Sequence, residues 1–140
     1  MAKGLRITVV LALGILVALG VQYASAHKKV HQSEVTLLVS KASDNRTGFH
    51  GHVTSTRVRC TRNRKVEVYR RLAGPDELIG KDVTGTPPVD EDNEYVVFIE
   101  GSPEAGTYVA VANRKVLRRT SRHRHICARA VSDPRSLGKE

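Results

Sequence analysis

Aromatic side chains are scarce in this chain, which has no tryptophan, two phenylalanines and four tyrosines. Base-stacking platforms and sugar subsites are built from such rings, so this supply argues against both. Cysteine is equally sparse: Cys60 and Cys127 are the two present, and their separation is far from the C-x-x-C spacing of a redox pair. No G-x-S-x-G elbow occurs in the sequence, which removes the usual signature of a serine hydrolase nucleophile. The longest apolar run, residues 7–21, has 15 residues and falls short of the ~20 that cross a bilayer core as a helix.

That run belongs to MAKGLRITVVLALGILVALGVQYASA, which has the three parts of a secretory signal peptide. Lys3 and Arg6 form the positive end, the apolar stretch follows, and Ala24-Ser25-Ala26 offers the small-x-small cleavage pattern. The reading expects a signal peptide over 1–26 and one secreted domain over 27–140. No cysteine follows the apolar run to carry a lipid, so the processed chain is expected outside the cell and free of the membrane. In an exported chain, an even cysteine count implies a disulfide between Cys60 and Cys127, with two free thiols as the alternative. Such a link is worth roughly 4 kcal/mol in the chain-entropy account.

The chain carries 23 Lys and Arg against 14 Asp and Glu, a net charge of +9. Removing Lys3 and Arg6 from that total leaves +7, a balance that favours anionic partners.

Past residue 26 the hydrophobic period is two rather than 3.6. Strands are expected at 34–40 (EVTLLVS), 48–55, 65–71 (KVEVYRR), 78–83, 94–100 (EYVVFIE), 107–112 (TYVAVA) and 125–131 (HICARAV). Gly74-Pro75-Asp76 and the group around Gly101 and Pro103 mark turns. EYVVFIE, the most apolar run, reads as a central strand, and the basic residues before 125 as a long connection. Seven short strands with frequent turn signals give an all-β class, a single Ig-like or prealbumin-like antiparallel sandwich with one disulfide. The absent tryptophan sets it apart from immunoglobulin domains proper.

VDEDNEYVVF (89–98) followed by EAGTYVAVA (104–112) resembles the T-D-x-x-G-x-Y and G-x-Y-x-v-x-v signature of the carboxypeptidase regulatory-like or transthyretin-like sandwiches, which include the collagen-adhesin B type. Asp90, Tyr95, Gly106 and Tyr108 match the motif, and Asn93 stands where glycine is usual. Asparagine tolerates positive φ, so the tight turn is expected to persist at Asn93. The chain also resembles small secreted β proteins of actinobacterial type in Cys60, Arg64, Val66, Val68, Tyr69, Arg70, Gly106, Tyr108, Ala110, Cys127, Ala128 and Ala130. These resemblances, covering about residues 55–132, imply a scaffold whose motif residues are turns and core rather than a catalytic site.

Four features could carry chemistry. His50-x-His52 and His123-x-His125 each place two imidazoles on one strand face, and a four-histidine metal site would form if the pairs met. Against it, Arg122 and Arg124 would repel a cation, so no metal or other cofactor is expected. The acidic run Asp90, Glu91, Asp92 and Glu94 offers oxygen ligands for calcium but lacks EF-hand spacing, and reads as a polar hairpin tip. Asn45-Arg46-Thr47 is a glycosylation sequon. The basic segment Arg114, Lys115, Arg118, Arg119, Arg122 and Arg124 can bind anions by releasing counterions.

The functional expectation is a secreted non-enzymatic sandwich with a structural or protein-interaction role. Its rival is an extracellular polyanion-binding protein using the 114–124 segment, whose partner is an acidic cell-wall polymer or polysaccharide rather than intracellular nucleic acid.

Overall fold

A computed structural model describes residues 27–120 and 122–138; the signal peptide expected over 1–26 lies outside the described residues. The chain runs through twelve short strands: β1 (His27–His31), β2 (Ser33–Val35), β3 (Leu38–Lys41), β4 (Arg46–Ser55), β5 (Lys65–Arg71), β6 (Glu77–Val83), β7 (Glu94–Glu100), β8 (Gly106–Ala112), β9 (Lys115–Arg119), β10 (His123–Cys127), β11 (Ala130–Val131) and β12 (Arg135–Leu137), with one 3-10 turn at Val58–Cys60. The seven expected strands are all present, two of them divided, and β1, β9 and β12 are additional.

Two sheets form an all-β sandwich. In one, β8 lies between β5 and, on its other edge, β11 and β12 in succession, while β6 flanks β5. In the other, β4 has β2 and β3 along one edge and β7 along the other. The period-two pattern turns one face of each strand inward. Val35, Phe49, Val53, Tyr95 and Val97 of the second sheet meet Val66, Val68, Tyr108 and Ala110 of the first in one buried cluster. The Phe49 and Tyr108 rings meet at its centre, 5.0 Å apart. Both core tyrosines satisfy their hydroxyls: Tyr95 donates to the Thr36 carbonyl at 2.7 Å and Tyr108 to the Glu104 carbonyl at 2.6 Å, as burial requires.

Several expectations are corrected by this architecture. The 34–40 strand breaks at Thr36 and Leu37, where the Thr36 carbonyl turns onto Gly51 so closely that a Cβ at Gly51 would come within 2.2 Å of it. β7 is an edge rather than a central strand; its Val96 N–H is met by the Asp82 carboxylate at 2.8 Å instead of by a further strand. Of the acidic run, Asp90, Glu91 and Asp92 lie in the loop from β6 to β7 and Glu94 opens β7; the two strands belong to different sheets, so the run marks a crossing between sheets and not a hairpin tip. Asn93 does not hold the positive φ expected of it. Asn45 and Asn63, in the turns before β4 and β5, do.

The strand expected over 125–131 ends at Cys127. Ala128 there donates its N–H to the His31 carbonyl at 2.8 Å, and the chain then crosses to pair Ala130 and Val131 with β8. The basic connection is likewise not a loop, since it forms β9 and, with His123 and Arg124, the start of β10, joined by β1 in a third sheet of order β1-β10-β9.

Candidate functional site

The third sheet starts as a hairpin. Thr120 donates its N–H to the His123 carbonyl at 2.9 Å, and its hydroxyl accepts the His123 N–H at 2.9 Å, the local bonding that makes threonine useful in turns. β1 then pairs in parallel along the free edge of β10, with His27 N–H on the Arg122 carbonyl at 3.0 Å.

The sequences of the three strands are HKKVH, KVLRR and HRHIC, with no acidic residue among them. Register sets the cations side by side. Lys28 lies opposite Arg124, which lies opposite Arg119; on the other face Lys29 lies opposite His125, which lies opposite Arg118. Lys28, Lys29, Arg118, Arg119 and Arg124 are exposed, as is Arg122 at the turn. Among the described residues none of these six pairs with a carboxylate, whereas Arg46, Arg62, Lys65, Arg70 and Arg71 on the rest of the molecule all do. Like charges directly opposite one another across a ladder are destabilising, so the row of Lys28, Arg124 and Arg119 is held at a cost that a bound anion would relieve.

Two expected members of the basic set change role. Lys115 turns inward, its ammonium donating to the carbonyls of Arg62 at 2.7 Å and Asn63 at 3.3 Å, and burial followed by the nearby Arg64 charge pushes its pKa down. Arg114 is exposed between β8 and β9, off the sheet. Lys28 and Lys29 were missed by the sequence reading. Their only signal was the pair of adjacent lysines in HKKVH directly after the expected cleavage point, which carries no apolar alternation to mark a strand.

The histidine pairs do not converge. His50 and His52 stand on β4 opposite Val96 and Glu94, and His52 Nε2 lies 2.9 Å from Glu94 Oε1. His123 and His125 instead meet β1. The His31 and His125 rings lie within 12° of parallel, with His31 Nε2 3.1 Å from His125 Nδ1 and ring centres 5.4 Å apart. That centre separation is close to the greatest such an N···N contact allows, so the rings lie edge to edge in nearly one plane and share one N–H···N bond. Both imidazoles are held below their ordinary pKa, by desolvation first and then by the charges of Arg57 and Lys29.

The sheet is fastened to the sandwich by a covalent link. Cys127 of β10 is bonded to Cys60 of the 3-10 turn, Cα atoms 5.4 Å apart, confirming the expected disulfide. Beside it Arg64 is fully buried. Its guanidinium donates to the Cys60 carbonyl at 2.9 Å and also to the carbonyls of Asn113 and Ala128. One side chain thus satisfies three loop carbonyls, one before β5, one before β9 and one after β10. The N–H of Arg64 donates to Thr84 Oγ1 at 2.8 Å. Burial lowers the Arg64 pKa, yet an arginine remains charged through the physiological range. The cationic strands are therefore displayed from a rigid base.

No family model matches this chain, and no curated protein matches it in sequence.

Proposed function

We propose that this protein binds polyanions outside the cell through the β1-β10-β9 sheet, with acidic cell-wall polymers or polysaccharides as the partner class. The observation that carries this reading is the alignment of Lys28, Arg124 and Arg119 across three strands that contain no acidic residue. A flat, salt-exposed array of ammonium and guanidinium groups recognises repeated anionic groups by counterion release rather than by shape. The lack of interleaved aromatics fits a backbone-directed mode over base stacking. The sandwich serves as a non-enzymatic scaffold, in keeping with the resemblance of VDEDNEYVVF and EAGTYVAVA to the carboxypeptidase regulatory-like domains. Secretion follows from the expected signal peptide and fits the disulfide, which persists in oxidising compartments.

Two multiple variants test the assignment on a heparin matrix. Replacing Lys28, Lys29, Arg119 and Arg124 by glutamine lowers the eluting salt concentration sharply. Replacing Arg114 and Lys115 leaves it nearly unchanged. Equal retention of the fourfold variant and the parent protein contradicts the proposal.

A further inference from the structure

In the sequence, His50-x-His52 and the acidic run at 90–94 lie far apart. The fold joins them at the far sheet, away from β1, β9 and β10. His52 of β4 and Glu94 of β7 are register partners, and the turn before β7 folds Glu91 back toward them through the Glu94 N–H on the Glu91 carbonyl at 3.1 Å. One ligand atom from each of His52, Glu91 and Glu94 lies within 4.8 Å of the other two. His50, on the same strand face, and Asp90 line the same cleft of about 280 Å³ as His52 and Glu94, and among the described residues no lysine or arginine lines it.

We infer that His52, Glu91 and Glu94 form a binding site for a divalent transition ion, for which zinc is the probe. Two carboxylates balance a divalent charge, and an imidazole nitrogen selects against calcium and magnesium, which prefer all-oxygen shells. The acidic run is already sorted for this purpose. Asp92 is taken by Arg62 at 2.8 Å, while among the described residues no cation pairs with the Glu91 carboxylate. Glu94 is oriented by both its oxygens: Oε1 meets His52 Nε2 at 2.9 Å and Oε2 accepts the Glu91 N–H at 3.4 Å. A metal would replace the direct hydrogen bond now made between His52 and Glu94. Three protein ligands on a partly exposed face leave coordination positions for water, as in open rather than structural zinc sites. The ion would tie Glu91 of the loop between β6 and β7 to β4, adding to the bond that the Val53 N–H of β4 donates to the Asn93 carbonyl at 2.9 Å. This inference is independent of the polyanion proposal, since it uses none of the same residues.

The test is a zinc titration of the full chain against a chromophoric chelator near pH 7, on the parent protein and on Glu91→Gln, His52→Gln and His123→Gln. Metal-free melting curves establish that each variant is folded. The site predicts one zinc equivalent, weakened at least about tenfold by Glu91→Gln and by His52→Gln, unaffected by His123→Gln, and not displaced by an equal concentration of calcium. Absence of zinc binding, an affinity unchanged in either Glu91→Gln or His52→Gln, loss caused by His123→Gln, or displacement by calcium overturns it.

Discussion

Arg124 lies directly opposite Arg119 across the β9-β10 hairpin, two exposed guanidinium groups a strand spacing apart in strands without an acidic residue. An arrangement maintained for stability would place opposite charges there. Arg119→Gln is therefore expected to raise the melting temperature slightly at low ionic strength, by about 1–2 °C for a relief of a few tenths of a kcal/mol. The gain disappears in high salt, where the repulsion is screened. The same variant weakens heparin retention. Thermal melts at two salt concentrations, paired with retention, separate a binding role from a folding one.

Arg64 acts in the opposite sense. Arg64→Met keeps much of the side-chain volume but orphans the buried carbonyls of Asn113, Cys60 and Ala128, and a loss of about 3 kcal/mol is expected. Arg64→Lys rescues little, because one ammonium cannot reproduce the planar fork that reaches all three. Denaturant unfolding of the two variants measures this directly.

Reducing the Cys60–Cys127 bond, which spans 67 residues of sequence, is expected to cost up to roughly 4 kcal/mol. Because Cys127 lies in β10 itself, the cationic sheet loses its anchor along with the stability. Heparin retention should therefore fall on reduction even under conditions where circular dichroism still reports β structure.

The edge-to-edge imidazoles of His31 and His125 predict a pH dependence with a definite sign. Folding holds both pKa values below the ordinary 6.5, through desolvation and the charges of Arg57 and Lys29, with His31 and His123 adding to the effect at His125. Below pH 6.5 the unfolded chain binds more protons than the folded one, so the stability contributed by the neutral pair is complete above that value and declines as the pH falls through the folded pKa values. Unfolding free energies from about pH 7 to about pH 5 should show this decline, and His125→Gln should flatten it.

The sandwich was legible in the sequence because its code is local. Val66 and Val68 alternate with polar neighbours, and turn residues bound almost every strand, so KVEVYRR and EYVVFIE were placed at their observed limits. Rank within a sheet was not legible. EYVVFIE is the most apolar run yet lies at an edge, while the central β4 is diluted by Gly48 and Gly51, the latter kept small by the approach of the Thr36 carbonyl. The third sheet was hidden for a different reason. Its strands bury little apolar surface and read as charged connections, and what makes them strands is the hairpin turn at Thr120 and the distant pairing of β1. Long-range pairing also decided the histidines: alternation put His123 and His125 on one face, but only the fold shows that His31 rather than His50 or His52 meets them.

The most direct test of polyanion binding is the salt dependence of the affinity for a heparin oligosaccharide. If Lys28, Arg119 and Arg124, which share one face of the sheet, and Arg122 at the turn engage the chain, the logarithm of the association constant falls against the logarithm of salt concentration with a slope of about −3. Replacing Lys28, Lys29, Arg119 and Arg124 by glutamine, which removes three cations from that face, should reduce the magnitude of that slope by about 2 and weaken binding, without lowering the melting temperature. A slope and an affinity unchanged in the fourfold variant would contradict the assignment of the β1-β10-β9 sheet as the binding face.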